Sequence, residues 1–305
     1  MKDHELVVVG GGAAGLTAGI YAVRYGLDLV LLAAGAPGGQ TATATTIENF
    51  PGFPEGISGA ELIMRLTQQA QNTGVSFDSA EVQQIVPDQG RWRLLTDVRE
   101  YMTTAVILTV GASPRRLKIP GERDLFGRGV SYCATCDGFF YRGQTVAVIG
   151  GGNSAVEEAL YLSDIAEKVY VIHRRDELRA EKVVADRALR KPNIQFIWDT
   201  VPTEIRGEDA VTSVALHNKK TEEDSEVAVD GVFVAVGYEP NTGFLGDLIE
   251  LRDGFIVTDQ RMRTSQPGIF AAGDVRDTPL RQVATAVGDA AIAADSAYRY
   301  VAERR

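Results

Sequence analysis

The chain has 305 residues, with 31 basic and 41 acidic side chains (net charge −10), 45% apolar residues, 2 cysteines and 3 histidines. That length suits two domains with real cores, and the acidic balance speaks against a general binder of nucleic acid or anionic membrane. Two cysteines exclude a disulfide framework and a four-thiolate zinc site, and no apolar run reaches the roughly 18 residues of a membrane span.

The start, MKDHELVVVGGG, runs from a short polar stretch straight into a glycine loop, which leaves no room for a signal peptide and points to a cytoplasmic protein. Glu5–Val9 reads as a strand, GGGAAG (Gly10–Gly15) as a turn, and the residues to about Tyr25 as a helix stopped by Gly26. A helix over Gly59–Thr73 follows, then strands at Glu81–Val86, Arg91–Thr96 and Ala105–Val110. GASPRRLKIPG (Gly111–Gly121) is broken by prolines and glycines and reads as a connector.

The opening grammar then returns. Thr145–Ile149 is a strand, GGGNSA (Gly150–Ala155) a turn, and the stretch to about Ser163 a helix. Next come strand Lys168–His173, a helix to about Arg190, and strands Ile194–Trp198, Val211–His217 and Gly231–Val236. A second connector, GYEPNTG, covers Gly237–Gly243. Strand Gly268–Asp274 and a helix over roughly Arg281–Ala302 close the chain.

Two glycine fingerprints, each between a strand and a helix, predict two nucleotide sites. The expected fold is α/β, with two dinucleotide-binding (Rossmann-like, three-layer) domains. The last ~60 residues are too few for an independent α/β domain, so they return to complete the first. The expected division is 1–114 with 244–305, and an inserted 115–243.

The residue about 20 positions past the fingerprint receives the adenosine ribose: a carboxylate for a 2′-hydroxyl, an arginine for a 2′-phosphate. After Gly150 that place holds His173, followed by Arg174 and Arg175, with Arg179 one turn further on. A guanidinium fork matches phosphate, so this site predicts NADPH. After Gly10 the same place holds Ala33, which leaves FAD, NAD or another adenine dinucleotide open.

Cys133-Ala-Thr-Cys136 ends 14 residues before the second fingerprint. The spacing fits a reversible disulfide better than a metal site, because no paired histidines complete a ligand set. Asp137 follows, either a proton shuttle for the dithiol or a plain helix-start aspartate. A hydride donor and a dithiol both move two electrons, and flavin chemistry joins them, which turns the first site towards FAD.

These residues resemble a known family over nearly the whole chain, the low-molecular-weight thioredoxin reductases. The resemblance rests on GGGAAG, GGQTATATTIENFPGFPEGISG (Gly38–Gly59), VSYCATCDGFF (Val130–Phe140), GGGNSA, HRRDELRA (His173–Ala180), AVGYEPNT and GIFAAGDV with RQVATAVGDAA. It implies a homodimeric FAD- and NADPH-dependent flavoprotein that reduces a thioredoxin-like disulfide. FAD would lie along Gly10, Gly12, Gly15, Gly39, Gln40 and Asn49, with Asp274 on a ribityl hydroxyl and Arg281 and Gln282 near the flavin ring. NADPH would fall to Gly152, Asn153, Ser154, His173, Arg174, Arg175 and Arg179. Cys136 would face the flavin, Cys133 would attack the partner, and Asp137 would act as acid/base. The absent carboxylate at Ala33 departs from the commonest dinucleotide pattern.

Because dithiol and NADPH fingerprint share the insert, one flavin must meet them in turn, and rotation about the two connectors is expected. Rival readings are a flavin-dependent dithiol oxidase, a reductase of another small disulfide or peroxidase partner, and a nucleotide-dependent redox sensor. The arginine-rich HRRDELR segment counts against an oxidase that needs no NADPH.

Overall fold

A computed structural model describes residues 1–44 and 46–305. In chain order the elements are β1 (Lys2–Val9), α1 (Ala13–Arg24), β2 (Leu29–Ala33), α2 (Gly59–Thr73), β3 (Ser76–Ser79), β4 (Val82–Asp88), β5 (Arg91–Thr96), β6 (Glu100–Leu108) and β7 (Ala112–Pro114). There follow β8 (Val130–Ser131), α3 (Ala134–Asp137), β9 (Thr145–Ile149), α4 (Asn153–Ser163), β10 (Lys168–Ile172), α5 (Lys182–Leu189), β11 (Ile194–Ile197), β12 (Thr200–Gly207), β13 (Val211–Asn218), β14 (Asp224–Ala228) and β15 (Gly231–Val234). The chain ends with β16 (Tyr238–Pro240), β17 (Leu251–Arg252), β18 (Phe255–Ile256), β19 (Ile269–Ala271) and α6 (Val283–Ala302). It divides into two compact units, Met1–Ser113 with Glu239–Arg305, and Pro114–Tyr238. The second crossing thus falls inside the GYEPNTG segment, before Gly243.

In the first unit β3, β2, β1 and β6 run parallel. Beyond β6 the sheet splits. The first half of β6 pairs antiparallel with β5, and Val106–Leu108 pair parallel with Ile269–Ala271 of β19. The final segment therefore completes the first sheet. Leu6, Val8, Leu29, Leu31 and Ile107 bury one face under α1 and α6. Val7, Val9, Val30, Leu32 and Leu108 bury the other with Trp92, Leu94 and Leu245. A strand covered on both faces needs no polar alternation, which is why LVVV reads as one apolar run. Helix α2 starts where Ser58 Oγ accepts the Glu61 N–H (3.2 Å) and stops at Gly74, at φ +93°.

The second unit is built on a parallel sheet in the order β11-β10-β9-β15-β8. Helices α4 and α5 pack on one face around Val146, Val148, Val156 and Leu162. On the other face Ala147, Ile149 and Val232 meet Ile205, Val214 and Leu216 of the antiparallel sheet β12-β13-β14. Both units are thus dinucleotide-binding layer folds, as the repeated grammar predicts. Strands β12 and β14 escape sequence reading because TVPTEIRG and DSEVA are mostly polar; partners, not apolar residues, make them strands. Among the described residues no helix is long and apolar enough to cross a membrane.

Candidate functional site

Each fingerprint assigns different tasks to its glycines. A Cβ on Gly10, at φ +113°, would lie 2.5 Å from the Thr109 carbonyl oxygen, and one on Gly15 would lie 1.8 Å from that of Gly10. Those glycines are required by close backbone approach. Gly12 is different: its nearest neighbour would be the Gly38 carbonyl oxygen at 4.0 Å. The second fingerprint repeats this, with a Gly150 Cβ 2.4 Å from the Ala235 oxygen and, among the described residues, no non-neighbouring atom within 4 Å of a Cβ at Gly152. Helices α1 and α4 begin at Gly12 and Gly152 with no side-chain cap and no acidic residue in the first turn. Two helix N-termini with open backbone and no side-chain cap among the described residues fit two pyrophosphates.

In the first unit the remaining residues expected to hold a cofactor gather in two places. The Gly38 N–H donates to the Gly11 oxygen (2.9 Å), and Gly39, at φ +58°, lies against Gly12 at the start of a short 3-10 turn carrying exposed Gln40. Asn49 Nδ2 donates to Gln282 Oε1 (3.0 Å) across 233 residues of sequence. The Arg281 guanidinium stands 4.2 Å from the Phe255 ring centre. Burial raises Asp274 to about 6, against the pull of Arg281, with Asp289 adding to the rise. No donor among the described residues hydrogen-bonds the Asp274 carboxylate, so it is available to a ligand hydroxyl. These features fit FAD. Ala33 lies against Gly11, and its methyl offers the ribose nothing to bond.

In the second unit a cleft of about 590 Å³ opens at the glycine turn. Gly152, Asn153, Ser154, His173, Arg174 and Arg179 line it, whereas Arg175 lies outside its lining. Asn153 Oδ1 accepts the Glu181 N–H (2.7 Å) and the Arg179 N–H reaches the Gly151 oxygen (2.7 Å), so the arginine-bearing loop is tied to the fingerprint. His173 is only 4% exposed, edge-on to Trp198 and directly behind Gly151. Burial first, then Arg179, Arg175 and Arg174, lower its pKa against a backbone hydrogen bond at Glu177 that raises it, so the wall disfavours the charged imidazolium. Sequence reasoning passed over Arg115 and Arg116, which line the same cleft from the Gly111–Gly121 segment. Their signal was the PRR triplet, read only as part of a connector.

Cys133 and Cys136 are joined in a disulfide, with their Cα atoms 5.3 Å apart at the ends of the first turn of α3. The Cys133 N–H donates to Ser131 Oγ (3.0 Å), whose hydroxyl donates to Asp137 Oδ2 (2.5 Å). Burial raises the Asp137 carboxyl above its ordinary range, and the Ser131 bond offsets this only in part. That is the behaviour of a group able to hold a proton beside a dithiol. Phe139 and Phe140 follow and are 56% and 49% exposed. A second carboxyl, Glu158 of α4, was not foreseen. It is pushed up to about 7 by burial, opposed by the Ala134 N–H between the two cysteines.

A family model for the pyridine nucleotide-disulphide oxidoreductases matches residues 4–290. The chain belongs to that family. Within it the chain is 45% identical over 299 residues to the thioredoxin reductase of Treponema pallidum, covering 98% of this chain and 97% of that one. It is 40% identical to the thioredoxin reductase of Bacillus subtilis, covering 99% and 96%. Among solved structures it matches thioredoxin reductase from Streptococcus pyogenes with TM-score 0.93 at 46% identity, covering 99% of both chains. It matches that of Lactococcus lactis with TM-score 0.67 at 45% identity, covering 98% and 99%. The family cofactors are FAD and NADPH, and the reaction type is disulfide reduction.

Proposed function

We propose that this chain is an NADPH-dependent thioredoxin-disulfide reductase, in which the Cys133–Cys136 pair relays two electrons to a thioredoxin-like protein. The observation that carries this reading is a formed disulfide followed by Asp137, whose carboxyl burial pushes above its ordinary range, on the same unit as an arginine-lined cleft. The arginines favour a 2′-phosphate and count against an oxidase that needs no NADPH.

Gly10, Gly12, Gly15, Gly39, Gln40, Asn49, Asp274, Arg281 and Gln282 would hold FAD, which would supply the chemistry that links a hydride donor to a disulfide. The chain's own residues do the rest. The disulfide takes up two electrons and opens. The Cys133 thiolate then attacks the partner's disulfide, and Cys136 attacks the mixed disulfide and releases the reduced partner. Asp137, directly after Cys136 and hydrogen-bonded by the Ser131 hydroxyl, is the group that would supply a proton to the leaving thiolate.

The division of labour extends to motion. One unit carries the cleft and the dithiol, so turnover requires it to present each in turn by rotating about segments 111–121 and 237–243. A cross-link that locked the units and left turnover unchanged would refute that motion. The protein is proposed to act in the cytoplasm as a homodimer.

The test is Cys133→Ser and Cys136→Ser in the FAD-loaded protein under anaerobic conditions. Each variant should let NADPH bleach the flavin absorbance and should lose thioredoxin reduction. Full thioredoxin turnover by either variant would overturn the reading.

A further inference from the structure

The segment that brings Arg115 and Arg116 to the cleft has no regular secondary structure, so something else must hold its shape. Glu122 does. It is 3% exposed, and its two carboxylate oxygens accept consecutive backbone N–H groups, Leu117 at Oε1 (2.8 Å) and Lys118 at Oε2 (2.7 Å). Two adjacent N–H groups converge because Lys118 sits at φ +62°, a left-handed conformation that a lysine seldom adopts. Among the described residues no other acceptor takes an N–H of residues 116–119. The Tyr132 hydroxyl completes the set, donating to Oε1 (3.0 Å); burial, then the Glu122 carboxylate, push its pKa up, so it stays a donor. On either side of this bend the Arg115 N–H is fixed to the Gly237 oxygen (2.9 Å), and the Pro120 oxygen accepts the Ile205 N–H (3.0 Å).

We propose that Glu122 is a positioning residue for nucleotide binding: its buried carboxylate holds segment 115–119 in the bend that presents Arg115 and Arg116 to the cleft. The inference rests on reading that cleft as the NADPH site. Glu122 does not line the cleft, so its effect passes through the backbone it grips. Without it the N–H groups of Leu117 and Lys118 lose their acceptor, the left-handed residue loses its support, and the two guanidinium groups are no longer held at the cleft wall. Chemistry after binding is untouched, because the dithiol, Asp137 and the flavin-side residues keep their own partners.

The test compares Glu122→Gln, Glu122→Ala and Tyr132→Phe as FAD-loaded proteins. The readouts are KM for NADPH and kcat in thioredoxin reduction, and Kd for NADP⁺ by calorimetric titration. Glu122→Ala should raise KM and Kd at least tenfold while kcat at saturating NADPH stays within twofold. Glu122→Gln keeps one acceptor oxygen and should raise both about threefold or more, and it carries the test if the alanine variant does not fold. Tyr132→Phe leaves both backbone bonds in place and should stay within twofold. Unchanged KM and Kd in Glu122→Gln, or a fall in kcat with KM unchanged, would overturn the proposal. Arg174→Ala and Arg179→Ala separate it from the reading beneath it. If neither changes the NADP⁺ Kd, the cleft is not the nucleotide site and both readings fall. If both raise it and the Glu122 variants do not, only the present proposal falls.

Discussion

Glu158 lies under the dithiol helix with an ionisable group that its surroundings disfavour. Its Oε2 has no partner among the described residues, and burial raises its pKa from the ordinary 4.5 to about 7 despite the Ala134 N–H. The folded protein therefore keeps a proton on Glu158 that the unfolded chain releases between pH 4.5 and about 7. Across that window stability falls as pH rises, because the native state binds more protons. The shift corresponds to about 3 kcal/mol, fully expressed above pH 7 and absent below pH 4.5. Glu158→Gln replaces the charged form by a neutral isostere whose amide oxygen still accepts the Ala134 N–H. At pH 8 the variant should be more stable than the parent by up to about 3 kcal/mol, several degrees in Tm, and the gain should vanish below pH 4.5. Calorimetric melting of both FAD-loaded proteins from pH 4 to 8 measures the difference directly. An equal Tm difference at both ends of that range, or a variant less stable at pH 8, would refute the argument.

The remaining predictions address the two nucleotide sites. Gly15→Ala places a methyl 1.8 Å from the Gly10 oxygen and should abolish soluble expression, whereas Gly12→Ala meets the Gly38 oxygen at 4.0 Å as its nearest non-neighbouring atom among the described residues and should fold but retain less FAD. The ratio of flavin to protein absorbance distinguishes these outcomes, and full FAD retention by Gly12→Ala would count against the pyrophosphate site. Arg174→Ala with Arg179→Ala should raise KM for NADPH by about two orders of magnitude and leave KM for NADH nearly unchanged. Equal losses with both nucleotides would remove the 2′-phosphate assignment. Asp289 accepts the Gly273 N–H (3.2 Å) and pairs with Arg276 (2.5 Å) beside Asp274, with both side chains largely buried. Asp289→Ala should cost about 3–5 kcal/mol of stability and shed FAD, read from Tm and flavin content. A variant with full flavin and unchanged Tm would sink that account.

The sequence alone determined the features whose constraints are local. A strand, a glycine turn and a helix follow one another within ~20 residues, and the crowding that demands Gly10, Gly15 and Gly150 leaves its mark on the residues themselves. The C-x-x-C pair is equally legible, since its spacing places the two sulfurs one turn apart, and so is the returning last segment, too short to stand alone. Only the tertiary structure decided what depends on surroundings. Nothing in HRRDELR says that His173 is buried while Arg174 and Arg179 line the cleft, because that burial, the first cause of its lowered pKa, is set by Trp198 and Gly151. Asn49 meets Gln282 across 233 residues, and PRR becomes a cleft wall only once Glu122 folds back on residues 117 and 118. The strands β12 and β14 and the carboxyl of Glu158 were hidden for the same reason: a polar residue's role is fixed by the partner that finds it. Local sterics are written along the chain; desolvation and long-range pairing come into being when the chain closes on itself.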